Sequence, residues 1–141
     1  MTARGPSVLL VEDSDGDVAL LRAVLDDALP GLELRVAWDG EAALAALLDD
    51  DRPPLPDLLL LDLNLPRVDG LEVLATLRAA GEPDVRRMPV VVLTTSRAQA
   101  DVRRAYELGA SAYVPKPFDV DELLRVTRSI ADFWFGSAML P

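Results

Sequence analysis

The chain contains no histidine, no cysteine and a single lysine, Lys116, against 13 arginines. Without histidine there is no Ser-His-Asp or Cys-His nucleophile pair, no histidine-ligated zinc and no phosphohistidine on this chain. Without cysteine there is no disulfide framework. The opening Met1 to Pro6 carries one charged side chain and none of the apolar stretch a secretory signal needs, so a cytoplasmic protein is expected. No apolar run approaches the roughly 18 residues of a membrane span, and no membrane partner is expected. Acidic residues outnumber basic ones 24 to 14, a net charge of −10 that is the wrong sign for a phosphate backbone. Nucleic acid is therefore not an expected partner. The chemistry that remains must come from carboxylates, hydroxyls and Lys116.

What is present is a regular alternation of short buried runs with amphipathic stretches. With 141 residues, half of them hydrophobic, one domain is expected. Ser7 to Glu12 reads as a buried strand, followed by a helix over 16–29 with Ser14 or Asp15 as its cap, ended by Pro30-Gly31. Leu32 to Trp38 alternates apolar with polar residues and reads as a half-exposed edge strand before a helix over 40–49. Asp57 to Asp62 is a third, fully apolar strand, with a helix over 70–80. Gly81 to Arg87 is too rich in Gly, Pro and charge to predict a helix. Pro89 to Thr94 is the fourth strand. A helix over 98–108 stops at Gly109, Ala112 to Val114 is a short fifth strand, and a last helix starts near Asp119. Five such units predict an α/β doubly wound parallel sheet, the flavodoxin-like (βα)5 fold with strand order 2-1-3-4-5. Residues 1–6 would be a tail, 7–135 the domain and 136–141 an extension.

In such sheets ligands bind beyond the carboxyl ends of the strands. The residues there are Glu12 and Asp13, Asp62 with Asn64, Thr94 with Thr95, and Lys116. Taken singly, each has an ordinary helix-capping explanation. Together they bring acids, hydroxyls and one cation to one rim. Two carboxylates about 4 Å apart repel by roughly 4 kcal/mol at an effective dielectric of 20, so the cluster calls for a positive charge. Oxygen ligands without His or Cys select a hard cation, and few carboxylates with room for water favour Mg2+. A carboxylate beside that ion and a fixed ammonium can accept a phosphoryl group. Lys116 is the candidate ammonium.

These residues carry a resemblance. Glu12-Asp13, Asp62 with the following Leu63-Asn64-Leu65-Pro66-Arg67-Val68-Asp69-Gly70, Thr94, and Lys116-Pro117-Phe118 resemble the motifs of response-regulator receiver domains, over about residues 7 to 135. The resemblance implies a magnesium site made by Glu12, Asp13, Asp62 and the backbone carbonyl of Asn64, with Asp62 as phosphoacceptor from a sensor histidine kinase. It implies that Thr94 and Lys116 each bind a phosphoryl oxygen, that Tyr113 is a rotameric switch partner of Thr94, and that Lys116-Pro117 is a cis peptide. Thr95 either narrows access to Asp62 or merely enters the next helix, and ordinary core packing is the competing reading for Tyr113. The Leu93-Thr94-Thr95-Ser96 run and the Phe133-Trp134-Phe135 ending are similar to single-domain regulators of bacterial phytochromes, which implies a phytochrome-type kinase as partner.

Helical projection places Val120, Leu123, Thr127, Ile130, Ala131 and Trp134 on one inward stripe. Val126 and Phe133 fall outside it, and Phe135, Met139 and Leu140 extend the apolar area. The expectation is a homodimer through Val126, Phe133, Trp134 and Phe135. A tail folded back over its own domain is the competing reading. Two other functions compete with the phosphoacceptor: a magnesium-dependent phosphohydrolase of the haloacid-dehalogenase type, which needs an acid where Asn64 stands, and a receiver-like module that is never phosphorylated.

Overall fold

Residues 5–137 are described by the computed structural model. Four consecutive leucines, Leu58–Leu61, form β3 at the centre of a five-stranded parallel sheet, and all four are buried. β1 (Ser7–Val11) and β4 (Val90–Thr94) flank it, while β2 (Glu33–Ala37) and β5 (Ala112–Pro115) form the edges. The order is β2-β1-β3-β4-β5, as expected.

A strand with no polar face must be covered on both sides. Side-chain alternation divides the strands between two cores. Leu9, Leu59, Leu61, Val90 and Val92 face one, closed by α2 (Gly40–Leu48), α3 (Gly70–Arg78), α4 (Pro83–Arg86) and α5 (Gln99–Glu107). Val8, Leu10, Leu58, Leu60, Val91 and Leu93 face the other, beneath α1 (Asp15–Ala28) and α6 (Val120–Asp132). Ser14, Asp39, Asp69 and Asp119 cap α1, α2, α3 and α6, each accepting a backbone N–H three residues on. Gly109 (φ 97°) follows the end of α5 in the left-handed region that favours glycine. Among the described residues no helix is long and apolar enough to cross a membrane.

Among the helices and strands, the structure departs from the sequence expectations at four places. Pro83–Arg86 is helical after all: Pro83 occupies its first turn, Val85 is buried, and Arg78 donates to the carbonyls of Arg86 and Met88. Tertiary burial of one valine outweighs the poor local propensity. Trp38 lies beyond β2 and is exposed, because the strand stops at the buried Ala37. Val120, expected on the inward stripe, is 51% exposed, since it opens α6 before the helix reaches the sheet.

The fourth departure concerns the last turn. Phe133–Ser137 is a π-helical turn, whose wider i→i+5 pitch alters the angular position of each side chain relative to an α-helix. Val126, Trp134 and Phe135 all rest partly buried against the core beneath α1 and α6. Phe133, edge-on to Trp134, stays 55% exposed. Three of the four residues expected at a dimer contact therefore already lean on their own domain. Met139 and Leu140 lie outside the described residues.

Candidate active site

The four carboxyl-end residues of the inner strands and β5 form a closed set around one ammonium. Glu12 follows β1, and its N–H still pairs with the carbonyl of Ala37 on β2 (3.1 Å). Asp62 follows β3, and its N–H pairs with Val11 (3.0 Å). Thr94 ends β4, and its carbonyl accepts from the N–H of Lys116 (2.7 Å), which fixes the start of the loop after β5. All four side chains are buried, and the sheet ladders set their spacing.

Lys116 Nζ donates to Glu12 Oε2 at 2.5 Å, to Asp17 Oδ2 at 2.9 Å and to Asp62 Oδ2 at 3.0 Å. The other Asp62 oxygen accepts the Asn64 N–H at 3.1 Å, and Glu12 Oε1 accepts the Ser14 N–H at 3.1 Å. Burial alone would raise the Asp62 carboxyl. The charge of Lys116, hydrogen bonds from Thr94 and Lys116 and the Asn64 amide outweigh it and hold Asp62 below the usual carboxylate range. For Glu12 burial wins, aided by the neighbouring Asp62 charge and opposed by Lys116, and its carboxyl is pushed up to about 7. Burial disfavours the Lys116 ammonium, but the Glu12, Asp17 and Asp62 carboxylates more than compensate and keep it protonated.

The carboxylate oxygens of Glu12, Asp13 and Asp62 lie within 4.8 Å of one another, with Asp13 open to solvent. Opposite ligands on an octahedral magnesium ion stand about 4.2 Å apart, so a small inward movement would let all three bind one ion. The donor set is oxygen only, with open solvent on one side for water and phosphate. These residues fit a hard divalent cation.

Gly70, the first residue of α3, brings a helix against the backbone of the site. A Cβ there would stand 2.3 Å from the Asp62 carbonyl oxygen and 2.6 Å from Leu63 Cα. Gly70→Ala is expected to destabilise the fold by about 1–3 kcal/mol and to displace Asp62, since both clashes are with backbone. Urea unfolding gives the first, and loss of the metal response gives the second.

Thr95 is exposed at the entry to the loop before α5, and its carbonyl accepts from Arg97 (3.3 Å). Tyr113 is half-buried against the core under α3 and α5, and its hydroxyl donates to the Ser96 carbonyl (2.8 Å). It therefore tethers the loop that follows Thr94 while also packing as core. The expected cis bond at Lys116-Pro117 is not found: no peptide bond among the described residues is cis. An X-Pro bond prefers trans by about 0.5–1 kcal/mol, and the trans form leaves both ends satisfied. The Lys116 N–H pairs with Thr94, and its carbonyl accepts from Arg97 (3.1 Å), whose guanidinium also stacks 5.0 Å over Phe118.

Asp17 and Arg97 were not singled out from sequence. Asp17 stands one helical turn after Ser14, in the first turn of the helix that leaves the acidic pair, and that position is the signal that could have found it. Arg97 carries no comparable mark, because its partners are main-chain carbonyls.

Residues 8–128 match the response regulator receiver domain family. The response regulator Rcp1 of Synechocystis sp. is 42% identical over 137 residues, covering 95% of this chain and 92% of Rcp1. The structure of the phosphorylated cyanobacterial phytochrome response regulator RcpA is similar at a TM-score of 0.88, with 36% identity over 97% of this chain and 99% of that one. The Mn(2+)-bound form of Rcp1 is similar at 0.87, with 41% identity over 96% and 99% of the two chains. Receiver membership leaves no place for the haloacid-dehalogenase reading, which had already lacked its second acid. With its motifs on the strand ends and its match spanning nearly the whole fold, the chain belongs to the response-regulator receiver family.

Proposed function

We propose that Asp62 accepts a phosphoryl group from the phosphohistidine of a sensor histidine kinase, in a magnesium-dependent reaction that the receiver itself catalyses and later reverses by hydrolysis. The observation that carries this reading is the asymmetry around Asp62. It is a buried carboxylate held ionised by donors from Lys116 and Thr94, and it shares a cluster of carboxylate oxygens with Glu12 and Asp13. An ionised oxygen is the nucleophile, and donors already pointed at it can receive the oxygens of the transferred group. The bound cation would be held by Glu12, Asp13, Asp62 and the Asn64 carbonyl, and it would neutralise charge on the phosphoryl oxygens. Lys116 and the hydroxyl of Thr94 supply the remaining hydrogen bonds, and Tyr113 follows Thr94 through the Ser96 carbonyl. The similarity to Rcp1 and RcpA supports a phytochrome-type kinase as the donor. A cytoplasmic site of action follows from a kinase partner of that kind.

The test is incubation with Mg2+ and acetyl phosphate, followed by transfer from candidate kinases. One hydroxylamine-labile phosphate per chain is expected, and none without the metal. A receiver that only binds partners would take up none under either condition.

Because Glu12 is pushed up to about 7, and a cation needs it ionised, magnesium affinity should rise with pH through about 7. Each ion bound should release most of a proton near about pH 6 and little near about pH 8. Calorimetry in two buffers of different ionisation enthalpy reads that release directly. Equal release at both pH values would contradict the assignment of Glu12.

We further propose a homodimer built on the end of α6, with Phe133 as its apolar anchor and Val126, Trp134 and Phe135 as its partly covered surround. Phe133→Asp should shift the protein to monomer in sedimentation velocity, with unchanged phosphate uptake. A monomeric wild type with and without acetyl phosphate would end this proposal.

A further inference from the structure

We propose that Asp17 is a positioning residue, an internal acceptor that occupies one donor of the Lys116 ammonium until a phosphoryl oxygen on Asp62 takes its place. The inference rests on Asp62 being the phosphoacceptor.

An ammonium has three donors, and here all three are filled, by Glu12 at 2.5 Å, Asp17 at 2.9 Å and Asp62 at 3.0 Å. The backbone of Lys116 is fixed as well, by Thr94 on one side and Arg97 on the other. With its three donors filled, the ammonium can take a new acceptor only by giving up an old one. For Lys116 to hold a phosphoryl oxygen, one carboxylate must let go.

The three carboxylates are not equivalent. The side chains of Glu12 and Asp62 are 2% and 8% exposed, and that of Asp17 is 30% exposed. A carboxylate released into water recovers its hydration, whereas one released inside the protein does not. Glu12 and Asp62 also belong to the oxygen cluster that fits a cation, and Asp17 does not. Asp17 is thus the bond that yields at least cost. Its backbone N–H is held by the Ser14 hydroxyl at 3.3 Å, and the first turn of α1 favours its charge, so the side chain stays poised to return.

The consequence has a sign. In transfer from acetyl phosphate, an Asp62 oxygen attacks phosphorus, the bond from phosphorus to the acetyl oxygen breaks, and acetate leaves with the electron pair. Negative charge arrives next to Lys116 while Asp17 competes for the same donor and repels the newcomer. Removing the charge of Asp17 should raise both the rate of uptake and the phosphorylated fraction at steady state, each about two- to fivefold, as suits a partly exposed ion pair.

The experiment compares Asp17→Asn, Asp17→Glu and Asp15→Asn with the wild-type chain, in Mg2+ and acetyl phosphate. Asp15 lies in the same first turn and is exposed, so it controls for helix charge. Lys116 is the only lysine, so labelling lysine with nitrogen-15 gives one side-chain ammonium signal, and its hydrogen exchange reports the grip directly. Faster uptake and faster ammonium exchange in Asp17→Asn, with Asp15→Asn unchanged and Asp17→Glu near wild type, support the inference. Uptake in Asp17→Asn equal to or slower than wild type overturns it. Failure of the wild type itself to take up phosphate would remove the phosphoacceptor reading instead, and this inference with it.

Discussion

Asp62→Asn is expected to reduce phosphate uptake to background while leaving the fold intact. The amide has the size of the carboxylate but no ionised oxygen, so it removes the nucleophile without opening a cavity. Its effect on stability is set by two opposing changes. The Asn side chain forfeits the charge-assisted bond from Lys116 at 3.0 Å, and it relieves the repulsion between Asp62 and Glu12. These partly cancel, so the unfolding midpoint should move little in the absence of metal. Magnesium should stabilise the variant much less than the wild type, because one of its three carboxylates is gone. Mass measurement of the intact protein after acetyl phosphate, together with urea unfolding in EDTA and in Mg2+, reads all three outcomes. Uptake at the wild-type level would mean that another residue is the acceptor.

The second large effect is expected at Lys116. In Lys116→Met the buried stem is replaced by a side chain of similar length, and the cation that bridges Glu12, Asp17 and Asp62 disappears. Removing one partner of a buried ion pair leaves uncompensated charge, and typically costs about 3–5 kcal/mol. That loss should appear in EDTA and shrink on addition of Mg2+, since the ion supplies positive charge to two of the same carboxylates. Phosphate uptake should remain slow even at saturating metal, because nothing replaces the ammonium at the phosphoryl oxygen. Denaturation with and without the metal separates the structural from the chemical share. Equal destabilisation in both media would show that Lys116 holds the fold in some way unrelated to charge.

The chemistry was more legible in the sequence than its geometry. Glu12, Asp62, Thr94 and Lys116 each end a strand or follow one, and parallel strands in a known order must bring those ends together, so periodicity alone located the pocket. The leucine run of β3 and the stop at Gly109 were equally plain, because strand burial and left-handed backbone leave direct marks on residue choice. Asp17 was hidden because its role depends on the angle at which α1 leaves the sheet. The helix at Pro83–Arg86 was hidden because Val85, rather than local propensity, decides it. The inward lean of Phe135 could not be read from an α-helical projection that a π-helical turn interrupts. The trans bond at Pro117 leaves no mark in the sequence, because an X-Pro bond is compatible with either isomer.

The central strand has one more consequence. The amides of β3 pair with strands on both sides and are covered by helices on both faces, so their hydrogens should exchange with solvent only when the whole domain unfolds. Asp62 is the next residue along that strand. Asp17, by contrast, stands in a first helical turn and is partly exposed, a position that opens by local fluctuation. Exchange measured across the pocket should therefore show a still floor and one restless wall, with the reacting carboxylate fixed to the last part of the molecule to come apart.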